Sequence, residues 1–179
     1  MNDKEDEKWV SECVKGNSQA FEFLLEKYQK RIFNVIHKML FDFEDAKDVT
    51  QVVFIKAYEK LDTFNSKYKF FSWIYRITIN ETLNFINHKK RKVQLKTNVV
   101  SSGENPEEYL ENTQLVDGLH LAIMELPIEY RIVLILRHFE ELSYKEIALM
   151  LNILEKTVKS RLFSARQSLK EILLKKGVA

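Results

Sequence analysis

The stretch LSYKEIALMLNILEKTVKSRL, Leu142 to Leu162, decides the fold, because its residue types fall where two short helices joined by a tight turn need them. Ser143 followed three residues later by Glu146 is a capping box that starts a helix. Ile147, Leu151 and Val158 are spaced so that two helices bury one shared seam, and Ala148 is small enough for the second to cross closely. Asn152 lies four residues after that alanine, where the turn wants a left-handed backbone, and Asn is the non-glycine residue that best tolerates one. The next helix carries Lys156, Thr157, Lys159, Ser160 and Arg161 between its buried positions. Cations and hydroxyls so placed suit phosphates and major-groove base edges, so the stretch reads as a helix-turn-helix ending in a DNA-recognition helix. An αα-corner in an ordinary helical domain, its charges merely solvated, is the alternative that the pattern by itself leaves open.

The surrounding chain of 179 residues is 45% apolar, enough for one large domain or two small ones with real cores. Only 4 Gly and 2 Pro leave little punctuation for a sheet with many turns, which favours helices throughout. No apolar run approaches the roughly 18 to 20 residues that cross a bilayer, and the charged start MNDKEDEKW lacks the apolar core of a signal peptide. The expected location is cytoplasmic, with no membrane insertion. The single cysteine, Cys13, excludes an internal disulfide and reads as a small buried or half-buried side chain. His37, His88, His120 and His138 lack the paired spacing of a metal site. With no glycine-rich phosphate loop and no nucleophile and base at motif spacing, neither an enzyme nor a cofactor is expected.

A net charge of +2 conceals strong segregation. Residues 61–96 carry 8 basic and 2 acidic side chains, and residues 128–179 carry 10 and 6. Between them, residues 97–127 carry 6 acids and no base, and residues 1–60 are slightly acidic. Two basic segments are where a polyanion would bind.

Reading outward, a short first helix breaks at Gly16 and Asn17, and Ser18 is placed to cap a long helix with Phe21, Leu24, Leu25, Tyr28, Ile32, Val35, Ile36 and Met39 on its apolar face. A second runs from about Glu44 to Leu61 with Ala46, Val49, Val53 and Ala57 inward, and a third from near Phe70 into His88 and the KKRK cluster. The segment TNVVSSGENPEEYLENT from Thr97 is polar and aperiodic, as a linker would be, with Asn105 and Pro106 suited to start a helix at its acidic end. Helices from about Gln114 to Glu125, Ile128 to Phe139, Tyr144 to Leu151 and Glu155 to Lys175 complete a second module. The expectation is an all-α chain of two small helical domains, residues 1–95 and 114–179, joined by a flexible acidic linker, residues 96–113.

Two faces of the first module exceed what packing requires. Asp48, Gln51, Val52, Ile55 and Tyr58 lie together opposite the apolar seam, a mixture suited to cover by another protein, although a small bundle could also bury Val52 and Ile55. Trp73, Arg76, Asn80, Asn84 and Asn87 form a stripe on the third helix; asparagines are costly in helix interiors, and hydrogen bonding to base edges and phosphates supplies a reason for three. Before it comes FNSKYKFFSW, where aromatics alternate with Lys67 and Lys69, the chemistry of single-stranded nucleic acid. Phe71 and Trp73 are expected to be at least partly buried, leaving the loop Asn65 to Lys69, with Tyr68, exposed.

Three motifs in order, DAKDVTQVVFIKAY at Asp45 to Tyr58, FFSWIYRITIN at Phe70 to Asn80 and LPIEYRIVLILRHFEELSYKEIALMLN through TVKSRL at Leu126 to Leu162, closely resemble a bacterial extracytoplasmic-function (group IV) sigma factor. The resemblance covers nearly the whole chain apart from the linker. It implies an RNA polymerase specificity subunit whose first domain (region 2) binds the polymerase clamp helices and reads and melts the −10 element, while the second (region 4) binds the −35 element and the flap. Carried over, the clamp surface is Asp48, Gln51, Phe54 and Tyr58. The −10 reader is Arg76, Asn80 and Asn84 with Asn65, Lys67, Tyr68 and Lys69 as a pocket for an extruded base. The −35 contacts are Lys159, Ser160, Phe163 and Ser164, with Lys156, Thr157 and Arg161 nearby. The implied partners are core RNA polymerase, promoter DNA and an anti-sigma factor. The chain departs from the family pattern at Asn84, usually an acid; at Asn87 and His88, usually arginines; at Asn152 and Lys156, usually glycine; and at Leu154, which cannot cap as the usual hydroxyl does. A stand-alone helix-turn-helix regulator is the rival reading, and it leaves the basic aromatic loop unexplained.

Overall fold

The computed structural model describes residues 3–96 and 113–177; within them the chain forms eight α-helices and one 3-10 turn, and no strand. Residues 97–112 of the expected linker, including Asn105 and Pro106, lie outside the described residues, and its two ends, Lys96 and Thr113, are the last residue of one helix and the first of another.

α1 (Asp3–Val14) stops at Gly16, whose φ of 102° only glycine adopts readily. α2 (Ala20–Leu40) buries Leu24, Tyr28, Ile32, Val35, Ile36 and Met39 at spacings of three and four, with Phe21 and Leu25 half-buried. Ser18 does not cap it. Gln19 holds the N-cap place with helical dihedrals and no side-chain bond, because the turn after Gly16 already winds as a helix: the amides of Ala20 and Phe21 donate to the carbonyls of Asn17 and Ser18. α1 packs on α2 through Asp6, only 1% exposed, which accepts from Lys27 at 2.5 Å and from the Tyr28 hydroxyl at 2.6 Å.

α3 (Phe43–Glu59) starts at Asp42, whose carboxylate accepts the Asp45 amide at 2.9 Å, and acids in its first turn suit the helix dipole. Its inner face holds Ala46, Val49, Val53 and Ala57, together with Thr50 and Phe54. A 3-10 turn at Leu61–Thr63 leads to α4 (Phe70–Lys96), which buries Phe70, Phe71, Ile74, Tyr75 and Ile79. Buried Thr78 and Thr82 satisfy their hydroxyls on the carbonyls four residues back, at 2.9 and 2.8 Å.

The second module comprises α5 (Thr113–Glu125), α6 (Ile128–His138), α7 (Tyr144–Leu151) and α8 (Glu155–Lys175). α5, α6 and α8 enclose a small cluster of Ile123, Leu126, Leu134 and Ala165. Its other apolar residues, among them Ile135, Leu136, Ile147, Val158 and Leu162, are continuous with the core of α2, α3 and α4. The two modules thus lie against each other, α6 on α2 and α7 on α4.

Arg131 fastens this joint. It is 9% exposed, and its guanidinium donates to the carbonyls of Ile123 at 3.2 Å, Leu126 at 3.2 Å and Met124 within the second module, and to Met39 at 2.9 Å across it. Five fixed N–H donors let one side chain satisfy carbonyls at two helix ends, where the backbone leaves acceptors unpaired.

Candidate nucleic-acid interface

The helix-turn-helix forms as its residue types dictate. The Ser143 hydroxyl accepts the Glu146 amide at 3.2 Å, and Glu146 accepts from the Ser143 amide at 2.9 Å and its hydroxyl at 2.7 Å. Those bonds to Ser143 hold the Glu146 carboxyl below its ordinary range, so the box is intact at neutral pH. Asn152 takes the left-handed conformation, φ 52°, and returns its amide to the Ala148 carbonyl. Leu154 occupies the N-cap of α8 with extended dihedrals and no side-chain bond, 63% exposed. Val158, Leu162 and Ala165 are buried, and on the other side Lys156, Lys159, Ser160 and Phe163 face solvent, Phe163 at 68%. Thr157, Arg161 and Ser164 are half-buried at the edges of that face. Lys159 pairs with Glu155 at 3.3 Å and lies over the Tyr144 ring, exposed contacts that hold it loosely.

On the first module, Asn65 to Lys69 are all exposed, yet the loop is ordered as an Asx turn: the Lys67 amide donates to the Asn65 side chain at 2.9 Å and the Tyr68 amide to its carbonyl at 3.0 Å. Beneath it, Phe64, Phe70 and half-buried Trp73 pack ring against ring with centroids 5.4 to 5.7 Å apart. The aromatics thus divide as expected, a packed floor carrying an exposed Tyr68. Arg76, Asn80, Asn84 and Asn87 are arrayed along α4, all four exposed.

The α3 face differs from its expected form at one residue. Asp48, Gln51, Val52, Ile55 and Tyr58 are exposed, but Phe54 is 6% exposed and meets Phe21 edge-on. Phe54 supports the face from below instead of lying on it; its place on the helix, between inner Val53 and Ala57, turns it inward. Phe21 also touches the Tyr58 ring, centroids 5.1 Å apart, and so fixes the end of the face.

No local sequence pattern signals the surface that faces the loop and the start of α4. The loop, Trp73 and Arg76 form one wall of a cleft of about 870 Å³ whose other wall is Lys145, Glu146, Ala148, Leu149, Asn152, Ile153 and Glu155 of the helix-turn-helix. Arg76 donates across it to the Leu149 carbonyl at 3.1 Å. Nearby, Glu140 accepts from the Tyr75 hydroxyl at 2.6 Å and from Arg31 at 3.3 Å. Burial and the bond to Glu140 raise the Tyr75 phenol far above its ordinary range, so it remains the donor. These pairs are 65 to 109 residues apart, beyond the reach of local periodicity.

Residues 24–92 match the family described as Sigma-70 region 2, and residues 117–169 match Sigma-70, region 4. The chain is 33% identical over 178 residues to the ECF RNA polymerase sigma factor SigW of Bacillus subtilis (strain 168), covering 93% of this chain and 95% of that protein. It is 31% identical over 176 residues to the ECF RNA polymerase sigma-E factor of Escherichia coli (strain K12), covering 92% of each. Among solved structures it is similar to the sigma factor RpoE of Bartonella quintana, co-crystallised with the anti-sigma factor NepR: TM-score 0.70, 25% identity, 86% of this chain and 96% of that one.

Proposed function

The chain belongs to the extracytoplasmic-function (ECF) sigma factors of the sigma-70 family, and from that premise we propose how its surfaces bind core RNA polymerase and direct promoter-specific transcription initiation. The observation that carries this is the outward face of α8: Lys156, Lys159, Ser160 and Phe163 exposed on a helix whose opposite side is anchored in the core. A helix held that firmly suits an undistorted major groove, with Lys159 and Ser160 on base edges or phosphates and Phe163 on a thymine methyl. Thr157, Arg161 and Ser164 flank these contacts, and Lys156 adds a cation at the helix start.

Residues 1–95 act on the −10 element. The loop Asn65 to Lys69 receives an extruded base, stacked on Tyr68, while Lys67 and Lys69 hold the backbone; Arg76, Asn80 and Asn84 read the neighbouring bases of the opened strand. Asp48, Gln51 and Tyr58, supported by Phe54, dock on the clamp of the polymerase. Bond-forming chemistry belongs to the polymerase, so this chain supplies no catalytic residue and no cofactor, and it works in the cytoplasm. None of its described helices is long and apolar enough to cross a membrane. A relative captured with an anti-sigma factor supports an anti-sigma partner here too.

Reconstitution tests the reading. Core polymerase with the purified chain should initiate at discrete start sites on genomic templates where core alone does not. Sequence-specific duplex binding by the chain alone, with no effect on core, would instead identify a stand-alone regulator.

A further inference from the structure

We propose that Leu154, where the chain enters α8, is a specificity-determining residue that packs on the C5-methyl group of a thymine in the −35 duplex, at the opposite end of the reading face from Phe163. The two most exposed large apolar side chains among the described residues are Phe163 at 68% and Leu154 at 63%, and both belong to this helix and its entry. A single exposed leucine is ordinary on a protein surface. This one stands where a folding advantage is forgone. Its backbone has the extended dihedrals of an N-cap, φ −72° and ψ 146°, and its carbonyl accepts the amides of Thr157 at 2.9 Å and Val158 at 3.2 Å. Serine, threonine or asparagine on the same backbone would add a side-chain bond to an unpaired amide of the first turn, which leucine cannot.

Nothing in the fold takes up the leucine instead. Ile153 before it packs on the core and Val158 lies within it, the two positions of a hydrophobic staple, so the entry into α8 is fixed without the Leu154 side chain. Asn152, Ile153 and Glu155 line the cleft toward the first module, while Leu154 stands outside it. A residue that breaks a local rule with no return in packing points to function. The chemistry of the partner follows from the side chain. Base edges in the major groove are polar except for the thymine C5-methyl, which an apolar side chain matches, and recognition helices present the residues at their start to those edges. Leu154 and Phe163 are nine residues apart, about 13 Å along the helix axis, too far to share one base pair. They therefore read separate pairs, with exposed Lys156, Lys159 and Ser160 between them. This inference rests on the assignment of α8 to the −35 duplex.

The test uses holoenzyme assembled from core polymerase and the full chain, bound as a closed complex to a promoter fragment taken from one of its own start sites. Each thymine of the −35 region, on either strand, is replaced in turn by deoxyuridine, which removes only the methyl group. The wild type should lose affinity roughly fourfold at one such position, the effect of one buried methyl. Leu154→Ser and Leu154→Ala should bind the thymine duplex that much more weakly and be indifferent to the replacement there, whereas Phe163→Ala should keep its sensitivity at that position. Leu154→Ser should also melt at a higher temperature than the wild type, which separates a lost contact from a lost fold. The absence of any thymine whose replacement weakens the wild type but not the Leu154 variants would overturn the proposal. If Lys159→Ala and Phe163→Ala then bind as tightly as the wild type, the assignment of α8 to the −35 duplex fails as well; if those two bind weakly, only the role of the leucine is lost.

Discussion

Both modules carry a helix lined with cations and polar side chains, and the two are mounted differently. α8 stands on a capping box, a left-handed Asn152 and a buried seam, and its outward face is solvent-exposed, tied only by the surface contacts of Lys159 with Glu155 and Tyr144. On α4 the residues proposed to read the −10 element come after a loop ordered by its own Asn65 turn over an aromatic floor, and Arg76 donates to a carbonyl of the neighbouring module. The difference matches the two tasks proposed for these modules. An intact major groove rewards a rigid helix, whereas an extruded base needs a platform and adjustable cations.

Removing the tie between the modules should have the largest effect. Arg131→Ala leaves carbonyls of Met39, Ile123 and Leu126 buried without their donor, and should cost about 3 kcal/mol in thermal or denaturant unfolding. If its stability matched the wild type, the joint would owe nothing to this side chain. Arg131→Lys should recover only part of the loss, since one ammonium cannot reproduce the fork.

Exposed Asp48 and Gln51 lie outside that joint, so Asp48→Ala with Gln51→Ala should change folding stability by no more than about 0.5 kcal/mol while weakening co-purification with core polymerase. Wild-type recovery of core would show the α3 face to be wrongly assigned.

The mounting of α8 can be improved. Leu154 holds the dihedrals of an N-cap without the side chain of one, so Leu154→Ser should stabilise the helix by about 1 kcal/mol, visible as a higher melting temperature. An unchanged or lower melting temperature would mean that the exposed leucine contributes as much through its own contacts as a capping hydroxyl would.

The smallest effect is one of pH. Burial first, then His120 and Lys38, lower the His37 pKa where its ring stacks on Phe33. The folded chain therefore resists a proton that the unfolded chain accepts; stability is complete above the ordinary histidine pKa of about 6.5 and is lost as pH falls below it. His37→Phe should reduce the fall in melting temperature between about pH 7.5 and 5.5, and an identical pH profile would exclude His37 as a contributor. His138, lowered by burial and by Arg166, leaves a residual slope in the variant.

Much of this was legible in the residues. The bounds of α7 and α8, the Ser143 box and the left-handed Asn152 arise from local signals that nothing distant overrides. Ser18 misled because a hydroxyl before a helix caps only if the preceding backbone is extended, and here it is already helical. Phe54 was assigned a contact by family resemblance, while its own helical position, beside Val53, places it in the core. Glu140, Arg31 and Tyr75 gave no signal, since an acid in a turn and an arginine on an amphipathic helix look solvated until the chain brings them together.

Run-off transcription with core polymerase, on matched and premelted −10 templates, tests the division of labour most directly. Lys159→Ala should lose activity on both, consistent with a duplex contact worth about 1 to 3 kcal/mol, and Asn80→Ala should lose it on the matched template and regain it on the premelted one. Equal losses on both templates for the two variants would contradict the assignment of duplex reading to α8 and strand opening to α4.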